Sequence, residues 1–280
     1  MAAVTDLRKT DLRGIYIIWY RDVLRFWRNR PRLFSSLGQP VLFLVVFGTG
    51  LSASFRGAAA GNFGGARSYV DFLYPGVVAM AVLFTSIFSA MSTVWDREFG
   101  VLKEVLVAPV SRRGVAIGKA LGGSTQAVLQ GSIVLLLGPF VGVTLTPLLV
   151  LQMIVLMFVL AFAMSSLGIA IASRIQTLEG FGVVVNLLAM PLFFLSGALF
   201  PLVGIPAWLS VLTRLDPATY GVDPLRRVVL LTAGASPSAV ATIEVDVFGH
   251  RLSTVEEIII LVVFALLMLT LAARWFETLE

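Results

Sequence analysis

From Ala120 to Ser173 the chain runs for 54 residues without a charged side chain. A bilayer core takes about 20 apolar residues per helix, so this run suffices for two crossings and is too long for one. Gly142 to Pro147 supplies the turn between them, which places spans at 120–141 and 148–172. Three shorter charge-free runs follow the same logic and give spans at 33–55, 72–95 and 181–199. A last apolar run gives a sixth at 257–273.

Composition agrees with an integral membrane protein. The chain is 58% hydrophobic and 13% charged, with a mean hydropathy of +0.94, whereas soluble domains are roughly a quarter charged. Of its 280 residues, 33–280 form one membrane domain, preceded by 1–32. That first segment holds eight basic residues and no uninterrupted apolar core, unlike a signal peptide. Leu12, Ile15, Tyr16, Trp19, Val23, Phe26 and Trp27 fall on one helical face with Arg21, Arg25 and Arg28 opposite, the pattern of an amphipathic helix lying in the membrane interface. Ile17, Ile18 and Leu24 lie off that stripe, so protein is expected to cover part of it.

Between spans 5 and 6 the pattern is irregular. The charge-free stretch from Gly180 to Thr213 exceeds one crossing, and Pro191, Gly197, Pro201, Gly204 and Pro206 interrupt it. The chain is expected to turn back after about Leu199 and lay short re-entrant helices in the far side of the membrane, with Trp208 at the interface. Placing the N-terminus inside puts fifteen Lys and Arg on inner segments and six on outer ones, so both termini are cytoplasmic. These basic residues border spans, which makes them topological anchors and excludes nucleic acid as a partner.

One polar segment, Asp96 to Lys119, lies on the inner side between spans 2 and 3. Val101, Leu102, Val105 and Leu106 recur at helical spacing beside Lys103 and Glu104, and Pro109 ends the pattern. So short an amphipathic helix must pack on the membrane, the span ends or another protein.

Catalytic signals are missing. No Asp, Glu, Lys, Arg or His lies within the interior of an assigned span, which argues against ion coupling. Ser165 and Ser166 have no base beside them and read as packing residues. Gly114 to Lys119 fails as a phosphate loop, because three residues rather than four separate its glycines and Ala120 follows the lysine. With no cysteine and a single His250, no metal site is expected. Thr85, Ser89, Ser92 and Thr93 share one face of span 2, where they either pack helices or line a translocation route. A membrane protein without its own energy source is either worked by a separate ATPase or is an ATP-independent secondary transporter or channel.

Three passages carry a resemblance to a known family: Gln39-Pro40 with the apolar run after it, Arg97 to Arg112 with Gly118 and Lys119, and Phe194 to Arg227. The chain resembles the membrane subunits of ABC-2 type exporters, in particular daunorubicin-type drug-resistance permeases and nodulation-factor export permeases. The resemblance implies an all-α integral membrane fold of six transmembrane helices with an N-terminal interface helix. It also implies a cytoplasmic coupling helix between spans 2 and 3 and re-entrant outer helices between spans 5 and 6. Glu98, Gly100, Lys103, Glu104, Ala108, Pro109, Ser111 and Arg112 would form the coupling segment that docks on the ATPase. Ser196, Gly197, Pro201, Pro206, Trp208, Asp216, Pro217, Tyr220, Asp223 and Arg226 would build the outer segment, the last five fixing its turns and caps. The implied partners are two copies of an ABC ATPase, which bind ATP and Mg, and a second permease copy or homologue. No cofactor is implied on this chain. The implied cargo is an amphipathic or hydrophobic drug, lipid or glycoconjugate, exported across a bacterial plasma membrane.

Overall fold

The computed structural model describes residues 2–55, 69–100, 111–247 and 249–277. The expected amphipathic helix at 101–107, with Lys103, Glu104, Ala108 and Pro109, lies outside the described residues. The rest is predominantly helical. Helix α1 (Ala2–Arg28) and α2 (Arg30–Phe55) are followed by α3 (Tyr69–Ser89) and, after a one-residue break at Ala90, by α4 (Met91–Glu98). Then come α5 (Arg112–Leu135), α6 (Pro147–Ala172) and α7 (Leu178–Leu195). The irregular region forms α8 (Ala207–Leu215), α9 (Thr219–Thr232) and α10 (Pro237–Val240). A two-residue antiparallel pair, β1 (Asp246–Val247) with β2 (His250–Arg251), precedes α11 (Thr254–Glu277).

Side-chain caps explain several starts. Ser111 accepts from the Gly114 amide ahead of α5, Thr146 from Leu149 ahead of α6, and Thr177 from Gly180 ahead of α7. Pro147 then occupies the first position of α6, where a missing N–H costs nothing.

Among the described residues, four helical stretches are long and apolar enough to cross a membrane: Tyr69–Glu98, Pro147–Ala172, Leu178–Leu195 and Thr254–Phe276. The spans expected at 33–55 and 120–141 are less apolar. In α2 the apolar part is Ser36–Gly48. The third helix is shifted as well as polar. It begins at Arg112, eight residues before the charge-free run, and ends at Leu135, with a 3-10 turn at Gly138–Val141 after it.

Packing accounts for the polarity of α5. This helix touches α1, α3, α6 and α11, and a helix so enclosed needs small residues more than apolar ones. A Cβ on Gly123 would lie 2.1 Å from the Ser89 hydroxyl oxygen and 2.6 Å from that of Ser165. On Gly131 it would lie 2.6 Å from Val82 and 2.7 Å from the Met157 sulfur. Around this helix the core is formed mainly by α3, α6 and α9, with Tyr74 donating to the Leu135 carbonyl at 2.6 Å.

Two expectations need correction. The α1 stripe does not turn as one face to lipid: Gly14, Ile18, Asp22 and Phe26 are buried, while Leu12, Tyr16 and Trp27 stay exposed. The buried face meets Gly118 and Gly122, where a Cβ would come within 3.1 Å of Ile18 and Asp22. Arg21 and Arg25, expected to face phosphates, are directed at Asp96. The second correction concerns charge. A span cut at its first charged residue is too short, because paired charges are carried inside these helices: Asp96, Lys119 and Glu257 are all buried within helices.

Candidate functional site

Where α1, α4 and α5 meet, five charged side chains form one cluster. The Lys119 ammonium lies 2.7 Å from Asp96 and 3.2 Å from Asp22. Arg21 reaches Asp96 at 2.5 Å, and Arg25 approaches it at 3.6 Å. Lys119 also donates to the Ser92 hydroxyl at 3.2 Å. Both carboxylates and the lysine are buried. Removing one partner of such a network leaves an uncompensated buried charge, so the cluster locks three helices together.

The residues that follow Asp96 extend the lock. Arg97 donates to the carbonyls of Ala172, Ser173 and Ile175 at 3.0, 3.1 and 2.7 Å, satisfying the C-terminus of α6. Glu98 accepts from the Leu178 amide at 2.9 Å, at the first turn of α7. Gly100 has φ of +78°, a left-handed stop after α4 that only glycine adopts without strain. On the far side of the undescribed stretch, the Ser111 amide donates to Asp11 of α1 at 2.7 Å, and Arg112 donates to the Phe276 carbonyl near the end of α11 at 2.8 Å. Residues 96–98 and 111–112 thus hold α1, α5, α6, α7 and α11.

The opposite end is organised around the turn after α7. A Cβ on Gly76 of α3 would lie 2.1 Å from the Ala198 carbonyl oxygen, so the turn rests directly on that helix. Tyr69 donates to the Leu199 carbonyl at 2.9 Å. Arg226 donates to the Gly197 and Ala198 carbonyls and stacks over Phe72, 3.9 Å from the ring centroid. Gly197, at φ of +74°, makes the reversal. Asp216 turns the chain from α8 into α9 by accepting from the Ala218 amide at 2.8 Å. Burial pushes its carboxyl up to about 8, against the lowering effect of that bond and of Thr219. Tyr220 donates to the Arg214 carbonyl at 2.5 Å. Asp223 does not cap: it lies inside α9, 2.9 Å from Arg227. Pro201 and Pro206 bracket the loop before α8, Pro217 follows Asp216, and Trp208 is exposed.

The hydroxyl residues of span 2 separate at the Ala90 break. Ser89 and Thr93 are buried. Ser92 joins Ser89, Asp22 and Gln126 around a cavity of about 70 Å³. Thr85 lines a cavity of about 240 Å³ with Phe26, Gln39, Pro40, Phe84 and Phe88. Among the described residues no group of His, Cys, Asp or Glu is arranged to hold a metal ion.

Sequence reasoning missed Asp22, Asp96, Arg97 and Lys119 as site residues. Their signals are present: Asp22 is the one acid among the basic residues of 12–32, and Lys119 interrupts the Gly118–Gly122 pair.

The family model described as ABC-2 type transporter matches residues 13–230. A transport permease named ycf38 from Cyanophora paradoxa is 31% identical over 219 residues, covering 77% of this chain and 73% of that one. Nodulation protein J of Rhizobium leguminosarum bv. trifolii is 26% identical over 81% of this chain and 85% of its own length. A multidrug ABC transporter permease of Escherichia coli (strain K12), YbhR, is 28% identical over 59% of this chain and 45% of its own.

Proposed function

The chain belongs to the ABC-2 type transporter family of membrane subunits, and on that premise we propose that it is the permease of an ATP-driven exporter, worked through the segment between α4 and α5. It is a membrane transport permease whose family implies partnership with an ABC ATPase. The finer reading has six crossings, α2, α3–α4, α5, α6, α7 and α11, with both termini on the cytoplasmic side of a bacterial plasma membrane. At 24 residues, α5 is about 36 Å long and spans a bilayer core. Its polar side chains are enclosed by neighbours rather than presented to lipid.

The observation that carries this reading is the set of contacts made by residues 96–98 and 111–112. A push on the stretch between them is delivered to five helices at once through ion pairs and helix-end hydrogen bonds. Glu98, Gly100, Ser111 and Arg112 are the described members of this lever, and Lys103, Glu104, Ala108 and Pro109 are its contact surface. Two ATPase copies, holding ATP and Mg, would drive two permease subunits between inward and outward states. The second subunit would meet α7, where Val183, Leu187, Met190 and Phe194 are exposed. Thr85 and Ser92, beside the cavities, would line the route for an amphipathic or hydrophobic cargo, a drug, lipid or glycoconjugate.

The test is reconstitution in vesicles with a candidate ABC ATPase subunit. Transport is expected to require ATP and Mg, and Glu104→Lys to weaken ATPase association without changing membrane insertion. Transport that continues without nucleotide and follows an ion gradient would establish a secondary transporter instead.

A further inference from the structure

At the end of the bundle away from the lever, three carboxylates surround one guanidinium. Arg227 of α9 lies 2.9 Å from Asp223, 3.2 Å from Glu244 and 3.6 Å from Glu257 of α11. Arg226 is the second cation of this region, held on the carbonyls of Gly197 and Ala198. Among the described residues, these three acids share the Arg227 guanidinium, and Glu244 also lines a cavity with Arg214 and Arg251.

Of the three acids Glu257 is the worst satisfied, 3.6 Å from Arg227. Its side chain is fully enclosed, and neither carboxylate oxygen accepts a hydrogen bond. An ionised carboxylate without a donor on either oxygen is among the costliest groups to bury. Asp223 and Glu257 both lie against the same Arg227 nitrogen, at 2.9 and 3.6 Å. A proton on Glu257 removes this cost, since the neutral acid can donate to the Asp223 carboxylate.

We propose that Glu257 holds a proton that it donates to Asp223, forming a buried proton-binding site between α9 and α11. The charged and titratable groups around it are Tyr220, Asp223, Arg226 and Arg227 from α9, Glu244 from the segment before β1, Tyr69 from α3, and Arg214 and Asp216 beside Tyr220. When α9 parts from α11, both carboxyls meet water and the proton leaves to solvent as a single ion, with no other bond made or broken. The packed form binds the proton and the parted form does not. Acid on that side therefore favours the packed form, and raising the pH favours separation. This second half rests on the exporter reading, with this end opening outward; the proton site itself does not.

The test uses the full chain in detergent in an Asp216→Asn background, which removes the other buried carboxyl of this region. The infrared carbonyl stretch of a protonated carboxylic acid is expected at neutral pH and should vanish in Glu257→Gln. That variant keeps a donor for Asp223, and its unfolding profile should stay unchanged. A band of equal intensity in Glu257→Gln overturns the site, as does a band absent from the parent protein. In vesicles with the ATPase, raising the external pH from 6 to 8 should speed transport by the wild-type chain and leave Glu257→Gln unaffected. A wild-type profile as flat as the variant's, with the infrared band present, overturns the opening half alone. If no transport depends on ATP, the exporter reading fails while the infrared result stands.

Discussion

At one end of the bundle Asp22 and Asp96 face Arg21, Arg25 and Lys119, and at the other Asp223, Glu244 and Glu257 face Arg226 and Arg227. In the first cluster two acids face three cations, whereas in the second three acids share Arg227. In the first, each buried carboxylate has a cation within 3.2 Å, which holds α1, α4 and α5 as a unit that can carry force. The second is completed only by a proton, a partner that can leave. A transport subunit needs both properties, a stiff end where work arrives and a releasable end where a gate opens.

The sharpest way to break this comparison is to remove one charge from each end. Lys119→Met takes from Asp22 its nearest cation and from Asp96 its only buried one, and should cost about 3–5 kcal/mol in thermal unfolding. Glu257→Gln should cost under about 1 kcal/mol, because it mimics a state already neutral. Equal losses would contradict the distinction. The next effect lies between the ends. Gly123→Ala drives a methyl into Ser89 and Ser165 and should cost about 1–3 kcal/mol, which the melting temperature would report.

A third experiment examines pH. Asp216 has a higher pKa in the folded chain than unfolded, so the folded chain holds its proton longer and loses stability as pH rises toward about 8. Between pH 6 and 7 that loss is at most about 1.4 kcal/mol, and Asp216→Asn should flatten it in unfolding curves measured across the range. The smallest effect concerns the cap of α5. Ser111→Ala should cost about 1 kcal/mol and raise amide exchange at Gly114 and its neighbours, leaving the other end unchanged.

Much of the helix pattern was legible because long charge-free runs have few alternatives in water or lipid. The positions of α3, α6, α7 and α11 follow from them to within a few residues. The span rule failed at the ends, since it stops at the first charge while Lys119 and Glu257 continue inward once partners surround them. Partners distant in sequence were not legible: the pairing of Lys119 with Asp22 is set by two glycines of α5 that admit α1. Asp216 and Tyr220 bond the backbone of the turn between α8 and α9, whereas Asp223 pairs along its helix because Arg227 follows four positions later.

The central claim is that residues 96–98 and 111–112 carry work from an ATPase into the helices. Its most direct measurement is ATP hydrolysis and substrate transport, recorded together in vesicles holding the ATPase and either the wild-type or the Arg97→Gln chain, the latter first checked to be folded and monodisperse. The account predicts that Arg97→Gln still binds the ATPase and supports hydrolysis while transport per ATP falls at least several-fold. Transport at the wild-type ratio would contradict it.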